Sequence, residues 1–125
     1  MFFTRRAGER YKNRGDNADY DFTAGAFTRD GNWHELDLSS IVGAKAQLVH
    51  LRLMGKYNAA DVELKFRTNG NINETNIAML RILVADIYNA VDIELYTDVD
   101  GKVEYKGTAG AFSEIYLSVR GWFER

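Results

Sequence analysis

The chain has 125 residues, 46% hydrophobic and 27% charged, the composition of one ordinary globular domain and not that of a disordered or membrane-spanning chain. Without cysteine it has neither disulfides nor thiolate ligands, and without proline its turns fall to Gly, Asn and Asp. The net charge of −2 is unevenly spread: residues 1 to 14 hold five cations and one anion, a net of +4, which leaves −6 for the rest.

The chain opens MFFTRRAGERYKNRGD, where Arg5, Arg6, Arg10, Lys12 and Arg14 leave no apolar face at helical or strand spacing. The segment 1–20 therefore reads as an extended N-terminal arm ahead of a domain over 21–125. Its cations, with the rings of Phe2, Phe3 and Tyr11, are the candidate partner-binding residues, and the acidic balance of the rest makes an acidic protein surface the expected partner. Residues 1 to about 18 are expected to order only on docking, since such a segment cannot offset its own conformational entropy. The tripeptide Arg14-Gly15-Asp16 is too short to carry an adhesion reading. No apolar segment of secretory type follows the cationic start, and no run approaches the roughly 18 to 20 residues of a membrane-spanning helix, so no membrane is expected.

From Asp21 onward the period becomes two. Asp30-Gly31 turns the chain ahead of Trp33 and His34. Gln47 to Met54 and Ile77 to Val84 are apolar on both alternating sets. Both read as strands, although Ala78 to Leu83 also suits a short helix. Val62, Leu64 and Phe66 alternate with Glu63, Lys65 and Arg67; Val91, Ile93 and Leu95 with Asp92, Glu94 and Tyr96; Ile115, Leu117 and Val119 with Tyr116, Ser118 and Arg120. A polar loop spans Thr68 to Asn76. Asp100-Gly101 predicts a hairpin between Val91–Thr97 and Lys102–Lys106. These elements amount to about eight short strands in an all-β, antiparallel β-sandwich or jelly roll. The word TAGAF, at 23–27 and again at 108–112, has unmatched flanks and reads as coincidence or similar edge chemistry more readily than as a duplication.

Chemistry for catalysis is sparse, and a non-enzymatic protein is expected. His34 and His50 lie in no nucleophile elbow and no zinc spacing, and each reads as a surface or sheet-face residue. Asp98 and Asp100 lack the ligand series of a calcium loop and read as a hairpin turn, so neither metal nor cofactor is expected. No two acids stand out as glycosidase partners. Asn73-Glu74-Thr75 meets the glycosylation pattern but reads as a polar loop. The basic, tyrosine-bearing start would suit nucleic acid, but the acidic body would repel it, so no direct nucleic-acid contact is expected. Trp33, Tyr57, Tyr88 and Trp122 are candidates for an interface or for stacking on sugars, with Trp33 and Trp122 alternatively capping the two ends of the core.

Two stretches resemble small virion proteins of tailed bacteriophages: YDFTAGAFTRDGNWHELDLSSIV over 20–42 and the closing LSVRGWF over 117–123. The resemblance covers residues 20 to 123 in pattern and extends to decoration, or cement, proteins and to modules of tail or head fibres. It implies a homotrimer on the capsid exterior, assembled in the host cytoplasm and bound to the major capsid protein across capsomer junctions. The arm would reach neighbouring subunits; about 14 extended residues span roughly 45 Å. A receptor- or glycan-binding fibre module is the alternative that the same resemblance implies.

Overall fold

The computed structural model describes residues 10 to 124, which form an all-β structure of two antiparallel sheets. In chain order the strands are β1 (Arg10–Asn13), β2 (Phe22–Thr23), β3 (His34–Asp37), β4 (Leu48–Lys56), β5 (Glu63–Thr68), β6 (Ala78–Arg81), β7 (Asn89–Tyr96), β8 (Lys102–Gly107) and β9 (Glu114–Glu124). A short helix, α1 (Ser39–Val42), lies between β3 and β4. The first sheet runs β1-β9-β4-β7 with β2 also on β9, and the second runs β3-β8-β5-β6. Pairing is nested: β2 with β9, β3 with β8, β4 with β7 and β5 with β6, as in one long hairpin whose arms alternate between sheets. The added pairs β4·β9 and β5·β8 join neighbours within each sheet.

Alternation makes one core from both sheets. Val49, Leu51, Leu53, Ile115, Leu117 and Val119 of the first sheet and Leu64, Phe66 and Val103 of the second are all fully buried in a single cluster. Each strand that alternates in sequence sends its apolar set to that cluster. The Asp100-Gly101 hairpin forms as expected: the Asp98 carboxylate accepts the amides of Asp100 and Lys102. Gly101 has φ +77°, and a Cβ there would lie 2.5 Å from the Gly43 carbonyl oxygen, so only glycine fits.

Two expectations are corrected. The strand expected over 77–84 ends at Arg81, and Leu83 and Val84 lie 68% and 53% exposed in the β6–β7 connection. The arm expected over 1–20 is part of the domain from Arg10 on, because β1 pairs antiparallel with β9, Arg10 opposite Glu124 through Asn13 opposite Gly121. All four β1 residues are exposed, so the strand needs no apolar face. Backbone pairing to the open edge of β9 supplies the order instead. Lys12 meets Glu124 at 3.5 Å, and the Tyr11 ring lies over Gly121, where a Cβ would come within 2.4 Å of it. Of the proposed arm residues, Phe2, Phe3, Arg5 and Arg6 lie outside the described residues.

The two TAGAF words adopt different backbones. Phe27 is extended at φ −112°, whereas Phe112 has φ +67°, a left-handed conformation costly for a bulky residue. They are not copies of one structural unit, yet one side chain ties them together. The Arg29 guanidinium donates to the carbonyls of Ala24, Phe27, Ala111 and Phe112. It thus clamps the β2–β3 connection to the β8–β9 connection. Arg29→Ala is expected to lower the unfolding free energy by about 2 kcal/mol, since partly buried carbonyls lose a charged donor. Arg29→Lys should recover little of it, because an ammonium cannot fork to four acceptors. Urea denaturation measures both, and a change under about 0.5 kcal/mol in Arg29→Ala would refute the clamp.

Candidate binding surface

The two outer faces differ in character. On the second sheet the charges pair among themselves: Arg81 with Asp61 at 2.9 Å and Glu63 at 3.5 Å, Lys65 with Glu63 and Glu74, and Lys106 with Glu74 at 3.3 Å. Exposed pairs of this kind contribute little stability each, but together they leave the face neutral and self-contained. Trp33 belongs to this face. The Arg67 guanidinium stacks 3.8 Å from its ring centroid, and Arg67 is itself buried and held by Glu104 and the Asn73 carbonyl. Trp33 therefore lies half-buried over the Arg67–Glu104 ion pair, outside the core cluster.

The other aromatic candidates do not converge. Trp122 packs against the core, its indole N–H donating to Glu124 at 3.0 Å. Tyr57 also packs on the core, its hydroxyl donating to the Gly110 carbonyl. Only Tyr88, 47% exposed, joins a cluster, and its companions escaped the sequence reading. The hydroxyls of Tyr88 and Tyr116 donate to the same oxygen of Glu114, at 2.6 and 2.7 Å. Tyr20 stacks on Tyr116 with centroids 4.6 Å apart, because β2 sits opposite that part of β9 and Thr23 pairs with Tyr116. Lys56 approaches both the other Glu114 oxygen, at 3.9 Å, and the Tyr88 ring.

Beside this cluster the β6–β7 connection exposes four large apolar side chains within six residues: Leu83, Val84, Ile87 and Tyr88. Large apolar side chains exposed this close together in the chain make the connection a candidate contact surface. The sequence signal was the run LVADIY itself, of which Leu83 and Val84 fall within the strand expected over 77–84.

Neither histidine hydrogen-bonds a serine or threonine among the described residues. His34 Nε2 meets Asp30 at 2.8 Å, and His50 lies 3.9 Å from Asp92 on the sheet face. Among the described residues no group of three or more His, Asp or Glu side chains is placed to hold a metal ion. No protein-family model matches the chain, and no curated protein matches its sequence.

The shared carboxylate oxygen sets the titration of the cluster. Hydrogen bonds from Tyr88 and Tyr116 hold the Glu114 carboxyl below its usual range, and the bond to Glu114 pushes the Tyr116 phenol up to about 12. The raised phenol contributes stability that is complete below pH 10, the unfolded value, and lost as pH rises through the folded one. The lowered carboxyl contributes stability present above its unfolded value and lost as pH falls through the folded one. In alkaline ultraviolet titration, the difference between the protein and its Tyr116→Phe variant should show one phenol ionising near 12, and Glu114→Gln should return it toward 10. A Tyr116 that titrates normally in the unaltered protein would contradict the shared bond.

Proposed function

We propose that the chain is a non-catalytic capsid decoration, or cement, protein of a tailed phage, acting as a homotrimer on the major capsid protein at capsomer junctions. Besides the resemblance of residues 20–42 and 117–123, two features support this reading. The nested pairing order, with 2-9-4-7 in one sheet and 3-8-5-6 in the other, fits a jelly-roll sandwich, an architecture common in viral capsid and lectin domains. The observation that carries the reading is the exposed apolar connection Leu83 to Tyr88, the foot by which the protein seats on the shell. Covering each of its aliphatic side chains contributes about 1.5 to 3 kcal/mol. Phe2, Phe3, Arg5 and Arg6 remain the reaching part of the arm. A stretch of nine residues would span roughly 30 Å if fully extended, enough to cross onto a neighbouring subunit. Tyr11, Lys12 and Arg14 act instead as the arm's root.

A second reading, a receptor- or glycan-binding module of a tail or head fibre, is favoured by a polar concave surface on the first sheet, beside Arg52 and Arg120. Antibody raised against the chain and imaged on particles from the producing strain separates the two. Label over the heads is expected; label confined to tails or fibres selects the second reading, and unlabelled particles overturn both. Leu83→Asp with Ile87→Asp should leave the circular dichroism spectrum and melting temperature unchanged while abolishing head occupancy. Deletion of residues 2–9 should reduce occupancy, whereas deletion of 2–14 should also destabilise the domain.

A further inference from the structure

Where the β1–β2 connection crosses the outer face of the first sheet, it leaves a concave surface of about 410 Å³. Asn13 and Asn17 stand on one side, and Arg52, Ser118 and Arg120 form the floor. The floor depends on a β-bulge: Leu51 pairs with Val119 but His50 pairs with Gly121, so Arg120 is the additional residue and is exposed. Bulges re-aim a side chain in this way.

Arg52 and Arg120 reach the same carboxylate, Asp92, at 3.5 and 3.3 Å, so one acid serves two permanent cations. His50, 3.9 Å from Asp92, adds no negative charge. Each guanidinium is half exposed and commits one nitrogen to Asp92, which leaves most of its five N–H donors unused. Asn13 accepts the Gly15 amide through its carbonyl oxygen, and its amino group is unpaired among the described residues. The side chains of Asn17 and Ser118 likewise have no partner among the described residues. A concave surface that sets two half-exposed arginines beside unpaired amides and a hydroxyl suits a ligand that is anionic and rich in hydroxyls.

We propose that this cleft binds an anionic carbohydrate, a sugar bearing a carboxylate or sulfate. Arg52 and Arg120 hold the charged group in place of surface water, and Asn13, Asn17 and Ser118 take ring hydroxyls. Asp92 keeps the two guanidinium groups oriented when the cleft is empty and limits the attraction for a bare polyanion, as does Glu94, exposed on the same face. The cleft is the one on which the glycan-binding reading rests, and binding by the isolated chain is read separately from where the protein sits on a particle.

Amide chemical shifts of the full chain, titrated with a glucuronate-containing disaccharide, a sulfated galactose disaccharide, lactose and inorganic sulfate, test this. At least one acidic disaccharide should shift the amides of Asn13, Asn17, Ser118 and Arg120 at millimolar concentration, and lactose should not. Which acidic disaccharide binds tells carboxylate from sulfate. Arg52→Ala with Arg120→Ala should keep the spectrum of a folded protein and weaken binding at least tenfold. Asn17→Asp, which leaves both arginines in place, should weaken it as well. No shift with either acidic disaccharide, equal shifts with lactose, or inorganic sulfate binding as tightly as the sulfated sugar (an adventitious ion only) would overturn the proposal.

Discussion

Much of the first sheet depends on one ion pair. Arg14 donates to both oxygens of Asp21 at 2.8 Å, and Asp21 accepts the Val119 amide at 2.8 Å with the oxygen nearer β9. The backbone amides of Arg14 and Asp21 meanwhile donate to the carbonyls of Arg120 and Leu117. A bidentate pair of this kind is stronger and more directional than a loose surface contact. It also lies where the sheet needs it. β9 bulges at Arg120, between the stretches taken by β1 and β2, and a carboxylate fills the ladder position that neither strand can reach. Three features follow: the basic front segment is ordered back to Arg10, Tyr20 is delivered onto Tyr116, and the connection between β1 and β2 arches over Arg52 and Arg120.

The strands that were legible in the sequence are those that separate an apolar from a polar set, as around Leu64, Ile93 and Leu117. Two misreadings share a physical origin. Residues 10–13 have no apolar set, so a pattern built on burial passes over a strand held by backbone hydrogen bonds and by cations facing their own domain's acids. The stretch 77–84 is apolar on both alternating sets, and the pattern cannot tell the side chains that the chain buries, Leu80 and Ile82, from those it leaves exposed, Leu83 and Val84. Both concern edges and connections, where tertiary context decides and local periodicity does not.

The same limit explains the candidate surface. Size alone selected Trp33 and Trp122, and each is committed to its own fold, one over Arg67 and the other against the core. Tyr20 and Tyr116 are 96 positions apart and meet only through the β2–β9 register. Arg120 reads as one more polar residue in an alternating strand, yet the bulge gives it the place that lets it share Asp92 with Arg52. The outcome is a division of labour: one outer face is neutral and closed by its own ion pairs, and the other carries a tyrosine cluster and a cationic cleft.

Native-state hydrogen exchange of the isolated chain tests the central claim, that the basic front segment is rooted in its own domain by Arg14 and Asp21. The Arg14 and Val119 amides should be protected to the same degree as their neighbours on β9, and Asp21→Asn should release both while the β4 amides stay protected. Exchange of Arg14 and Val119 at the rate of an unstructured chain in the unaltered protein would contradict it.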